Sequence, residues 1–149
     1  MIRPIMPNDI SKVADLAEIM HSEGRYKKVN FNKAKLINNF TIALANYFLV
    51  GFVDEREDKI VGAIVGSVSD YFFGDDYILS DYGLFVIPQY RKSKSGAKLL
   101  KAFIDAGEKI GVKEVCIGAT NMEDPNALDL LYKKVGLTKI GSIYKKDYA

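Results

Sequence analysis

Leu84-Phe85-Val86-Ile87-Pro88-Gln89-Tyr90-Arg91-Lys92-Ser93-Lys94-Ser95-Gly96-Ala97-Lys98-Leu99-Leu100 is the stretch that decides the fold. Four apolar residues run into Pro88, which fits a buried strand and not a helix. From Lys98 the period changes. Leu99, Leu100, Phe103, Ile104, Gly107 and Ile110 fall on one helical face, and Lys98, Lys101, Asp105, Glu108 and Lys109 on the other. A helix beginning near Ser95 presents unpaired backbone N–H groups and the positive end of its dipole. With Arg91, Lys92 and Lys94 around that end, and Gly96 letting backbone approach an anion closely, the turn reads as a phosphate cradle. The competing reading is an ordinary solvated basic turn, since short glycine motifs arise by chance.

The chain before this stretch supplies a sheet for the strand to join. Residues 1–5 read as an edge strand, confined there by Pro4 and Pro7. Ile10, Val13, Leu16, Ala17 and Met20 share the face of a first helix that stops near Gly24. Asn32 caps a second, with Leu36, Ile37, Phe40, Ala43 and Leu44 inward. Residues 47–53 and 60–68 form an antiparallel hairpin around the charged turn 56–59, with Gly62, Ala63 and Gly66 marking close approach. A connection with three successive aromatics, Tyr71, Phe72 and Phe73, and the pair Asp75 and Asp76 leads to a strand over 77–86. After the long helix, 114–119 is a short buried strand, and strand–helix–strand implies parallel neighbours. A helix over 126–134 ends at Gly136, and 137–148 reads as closing strands turning at Gly141-Ser142. The whole is one domain, 1–149, with a mixed α+β sheet and helices on both faces.

Composition narrows the function. Apolar residues are 48% and charged residues 27% of 149, a globular balance with a sizeable core. A net charge of +2 argues against bulk nucleic-acid binding, leaving only the local charges of 91–98 and 133–146 for such a role. The single Cys116 forms no internal disulfide, and with the single His21 it offers no metal set, so no metal is expected. No membrane span and no signal peptide are visible, so a cytoplasmic protein is expected.

Val86-Ile87-Pro88 followed by Arg91-x-x-Lys94-x-Gly96-Ala97 resembles the acetyl-CoA loop of the GNAT superfamily of N-acetyltransferases, Arg/Gln-x-x-Gly-x-Gly/Ala after a strand ending Val-x-Pro. Lys94 stands where that pattern has its first Gly. A second motif, Leu131-Tyr132-Lys133-Lys134-Val135-Gly136-Leu137, is similar to the family's Leu-Tyr-x-x-x-Gly-Phe, and the element order matches over nearly the whole chain. The resemblance implies a mostly antiparallel twisted sheet in which the strand of Phe85 and the strand of Cys116 splay apart. It also implies acetyl-CoA as co-substrate, lying in that V. The pantetheine arm would pair with the backbone of Leu84, Phe85 and Val86, with Asn126 hydrogen-bonding it or capping a helix instead. The pyrophosphate would sit on Lys92, Ser93, Lys94, Ser95, Gly96 and Ala97, with Arg91 adding charge. A homodimer is a family-level expectation.

Acetyl transfer needs a neutral amine, a polarised carbonyl and a proton for the departing thiolate. Tyr132 is the family-matched proton donor; the competing role is ring packing with a hydrogen bond to a neighbour. Asp81 either draws a proton from the acceptor, holds a cationic substrate, or is a capped strand carboxylate. Tyr26, Tyr71, Phe72, Phe73, Asp75 and Asp76 are candidates for the acceptor wall, with Phe73 better placed in the core. Cys116 has no base at family spacing and reads as a small strand residue. The expected activity is an N-acetyltransferase acting on a small-molecule or peptide amine. A non-catalytic acyl-CoA-binding module is the alternative.

Overall fold

The computed structural model describes residues 1–118 and 125–148. Five strands form a single sheet in chain order, β1 (Ile2–Pro4), β2 (Leu49–Arg56), β3 (Lys59–Asp70), β4 (Tyr77–Val86) and β5 (Glu114–Cys116). The first four are antiparallel, and β5 lies parallel to β4. The β2–β3 turn is made by Glu57 and Asp58, both with positive φ (51° and 62°). Arg56 therefore pairs directly with Lys59 in a two-residue hairpin of the primed kind. Strand β2 starts at Leu49, two residues later than the apolar pattern suggests, because Tyr47 is in the left-handed region (φ 63°) at the end of a helix.

Helices cover both faces. On one lie α1 (Ile10–Glu23) and α2 (Lys33–Ala45), whose Ile10, Val13, Leu16 and Phe40 pack with Val53 and Phe85. Asn32 caps α2 as expected, its side chain accepting the N–H of Lys35 at 3.0 Å. On the other face α3 (Ser95–Ile110) buries Leu99, Leu100 and Phe103 against Ile64 and Leu79. Ile110, expected on that face, is instead 52% exposed in the last turn, where Gly111 (φ 87°) ends the helix. The small residues of β3 let α3 come close. A Cβ on Gly66 would lie 2.5 Å from Phe103 Cζ, and one on Gly62 3.1 Å from Leu99 Cδ1. The last helix, α4 (Pro125–Lys134), adds Leu131 and Tyr132 to the α3 side.

Two further expectations are corrected. Residues 137–148 form no strand: their apolar alternation suits one, but no described segment pairs with them. Phe73 is not a core residue, being 85% exposed at the tip of the β3–β4 hairpin with its ring against Tyr71. Its apolarity suggested burial, but the Gly74-Asp75-Asp76 that follows holds it in a solvent-facing turn. Residues 119–120, expected to end β5 and open the following loop, lie outside the described residues. Among the described residues no helix is long and apolar enough to cross a membrane.

Candidate active site where two parallel strands part

Pairing of β4 with β5 covers Ile78–Glu114, Leu79–Val115 and Ser80–Cys116, and then stops. Strand β4 continues through Val86 with no described strand against it on that side. Its other edge stays paired to β3, with one irregularity: Gly66 faces Asp81 and Val65 faces Gly83, leaving Tyr82 as the extra residue of a bulge. Gly83 is tight here, since a Cβ would fall 2.5 Å from Met20 Cε. The bulge re-aims β4 where its outer partner is lost. Beyond it run Leu84, Phe85 and Val86, the last two buried.

Asp81 and Tyr132 meet at this fork through Gly118. The Gly118 N–H donates to Asp81 Oδ1 at 2.9 Å, and the Tyr132 hydroxyl donates to the Gly118 carbonyl at 2.8 Å. Burial pushes the Asp81 carboxyl above the ordinary carboxylate range, partly offset by the Gly118 N–H. Burial, and then the Asp81 charge, push the Tyr132 phenol up to about 12. Burial, with Glu114 and Asp81 next, also raises the Cys116 thiol, which stays protonated and a poor nucleophile.

The spacing of the second motif has a local cause. Gly136 (φ 95°) ends α4 in a left-handed turn. The Leu137 N–H reaches the Tyr132 carbonyl (2.9 Å), and the Gly136 N–H that of Lys133 (3.1 Å). This is a Schellman cap, and it anchors the turn that carries Tyr132.

At the start of α3, Pro88–Tyr90 is a short 3-10 turn. The Ser93 hydroxyl donates to the Tyr90 carbonyl (2.6 Å) and accepts the Ser95 N–H (3.2 Å). Lys94 has φ −81°, so its Cβ strains nothing where the family pattern has Gly. The N–H groups of Gly96 and Ala97 have no acceptor among the described residues, and a Cβ on Gly96 would meet nothing within 4 Å. Lys92 and Lys94 are exposed beside them. Arg91 turns away: Nε donates to the Val86 carbonyl (2.8 Å) and Nη2 to Glu23 Oε2 (2.9 Å), bracing the turn against β4 and α1. Asn126 is exposed in the first turn of α4.

The acceptor-wall residues do not gather at the fork. The Tyr71 hydroxyl donates to Glu114 Oε1 at 2.8 Å, and Phe72 is fully exposed, both at the Tyr77 end of β4, whereas Asp81 lies in the middle of that strand. Tyr26 lies beyond α1 with the Arg25 guanidinium 4.2 Å over its ring. Sequence reading missed Tyr82 (bulged beside Asp81, its ring 6.0 Å from Phe40) and Gly118, which looks like any strand residue. The available signal for Tyr82 was Gly83, since a glycine inside a strand marks a bulge.

The model of the acetyltransferase (GNAT) family matches residues 15–137. The chain belongs to that family. Among solved structures, this GNAT chain is similar to an aminoglycoside acetyltransferase from an uncultured soil metagenomic sample, crystallised with trehalose (22% identity, TM-score 0.76, covering 100% of this chain and 95% of that one). It is also similar to a predicted acetyltransferase with acetyl-CoA from Clostridium acetobutylicum (16%, TM-score 0.77, 99% and 95%). A third is described as a transcriptional regulator from Bacillus halodurans C-125 (16%, TM-score 0.77, 99% and 99%). At these identities the likeness speaks to the fold. No curated protein matches the sequence.

Proposed function

We propose that this GNAT protein transfers an acetyl group from acetyl-CoA to a primary amine of a small molecule or peptide by direct attack. The observation that carries the reading is the fork: Asp81 and Tyr132 hold the two ends of Gly118 where β4 loses its outer partner. The unpaired edge of β4 suits a pantetheine amide chain, and the free N–H groups of Gly96 and Ala97 suit a diphosphate. Lys92 and Lys94 add charge there, while Arg91 positions the turn. The bound thioester supplies an activated acyl carbon and a leaving thiol.

In the reaction a nitrogen–carbon bond forms, a carbon–sulfur bond breaks, and one proton passes from nitrogen to sulfur. Asp81, made more basic by burial, takes the proton the nitrogen sheds. Tyr132 stays protonated and turns its single O–H from the Gly118 carbonyl to the departing sulfur. Its phenol lies about 3 units above an ordinary thiol, so full transfer alone is uphill by about 4 kcal/mol. Tyr132 therefore keeps its proton, and the one that Asp81 took from nitrogen passes through solvent to sulfur.

The similar structures include aminoglycoside acetyltransferases, one bound to sisomicin, which makes polyamine antibiotics one arm of the acceptor panel. Small amines and peptide N-termini are the others. Incubation with acetyl-CoA and this panel should release free thiol only when the right amine is present. Binding of acetyl-CoA with no thiol release from any class would favour a non-catalytic acyl-CoA module. Absence of a calorimetric signal with CoA or its esters would overturn both.

A further inference from the structure

The chain has four arginines, and three of them hold carboxylates. Arg3 pairs with Asp9 and Glu55, Arg56 with Asp54, and Arg91 with Glu23. Arg25 is the exception. It is half-buried, and among the described residues its one hydrogen bond runs from Nη2 to the hydroxyl of Tyr26, over whose ring the guanidinium lies. Arg25 Nε is shut from water with no partner, and so is His21 Nε2, whose ring packs against Phe31. Lys27 and Lys28 follow, exposed, with no carboxylate partner among the described residues. A half-buried guanidinium with donors left over is costly unless an anion takes them.

The position of Arg25 points to the acceptor. The end of α1 is fixed to the unpaired stretch of β4 at two places. Met20 lies against Gly83, and Glu23 Oε2 accepts from Arg91 Nη2, whose Nε donates to the Val86 carbonyl. Arg25 follows Glu23 by two residues, so their Cα atoms are at most about 7 Å apart. Tyr82, bulged beside Asp81, turns its ring to Phe40 of α2 and so lies on the face that α1 and α2 cover. An acceptor that reaches Asp81 from that face passes the end of α1. It meets a carboxylate at the fork, suited to an ammonium, and a guanidinium nearby, suited to an anion.

We propose that Arg25 selects an acceptor that carries a carboxylate as well as the amine. This rests on the acetyl-transfer reading and narrows its substrate class. Amino acids and acidic peptides are favoured, and polyamine antibiotics, whose ammonium groups Arg25, Lys27 and Lys28 repel, are disfavoured. The planar guanidinium can take both carboxylate oxygens at once, which a lysine cannot.

The test uses matched acceptors that differ in the carboxylate: 6-aminohexanoate against its amide, lysine against cadaverine, and Gly-Asp-Gly against Gly-Asn-Gly, both as C-terminal amides. The last pair separates a peptide from a free amino acid. By thiol release, kcat/KM should favour the carboxylate member of at least one pair by at least about tenfold, chiefly through KM. Arg25→Gln should bring that ratio to about one, Arg25→Glu should invert it for lysine and cadaverine, and Arg25→Lys should restore only part of it. The acetyl-CoA dissociation constant of Arg25→Gln should stay within about twofold. Equal rates within every pair, or a preference that survives Arg25→Gln, would overturn the proposal while leaving acetyl transfer intact. A loss of acetyl-CoA affinity in Arg25→Gln would place Arg25 at the cofactor and overturn it too. Thiol release from no amine is a failure of the acetyl-transfer reading instead. Calorimetry with CoA present then decides: N-acetyl-6-aminohexanoate should bind at least about tenfold tighter than its amide and lose that margin in Arg25→Gln, and no margin overturns the proposal.

Discussion

Asp81 and Tyr132 address one residue from its two ends, the N–H and the C=O of Gly118. Each was a candidate in the sequence, Tyr132 from its motif and Asp81 from its place on the strand before Pro88. Their meeting was not, because nothing local says which backbone group a distant side chain will find. Tyr132→Phe keeps the ring that packs on the α3 side and removes only the hydroxyl. Turnover should fall roughly 10- to 100-fold while the acetyl-CoA dissociation constant stays within about twofold. Because the phenol titrates at about 12, the unmodified protein should show no alkaline loss of activity from Tyr132 across the working range. Unchanged turnover in the Phe variant would remove Tyr132 from the reaction.

The start of α3 shows how much an element's edge tells and what it hides. The change of period at Lys98 and the glycine at 96 give the helix its beginning, which the structure puts at Ser95. The direction of Arg91 was hidden, since its partners include the carbonyl of Val86 and Glu23, 68 residues earlier in the chain. Gly96→Glu separates binding from folding at this helix. The new side chain enters open space, replaces a poor helix former, and puts a negative charge near the positive end of the dipole. Thermal stability should therefore hold or rise. The same charge opposes a diphosphate, so acetyl-CoA affinity should fall at least about a hundredfold by calorimetry. Affinity retained in that variant would move the cofactor away from this helix.

At the scale of the molecule, the elements that the sequence pattern predicts correctly are those whose apolar faces find helices or neighbouring strands within the chain. Residues 137–148 fail that test: their alternation suits a strand, but a strand also needs a partner, and pairing is non-local. Charge is distributed with opposite consequences in two carboxyls, Asp54 buried and Asp81 half-buried. Asp54, 2% exposed on β2, is pushed up by burial, but donors that include Arg56 and the Met1 amine outweigh this and hold it at about 2. Its folded value lies below its unfolded one, so it contributes about 2 kcal/mol that is present above the ordinary carboxylate range and lost as pH falls towards 2. Asp81 is raised by burial, so its contribution is present at low pH and is lost as pH rises through its folded value. Asp54→Asn should therefore lower the unfolding midpoint at pH 7 and lose that deficit near pH 2. Asp81→Asn should raise the midpoint at pH 7, keep its bond from the Gly118 N–H, and lower turnover. Thermal melts of the three proteins from pH 2 to pH 8 test both signs at once. Parallel curves for Asp81→Asn and the unmodified chain would mean that the carboxyl at the fork is not strained by burial, and would take away the reason for assigning it the base.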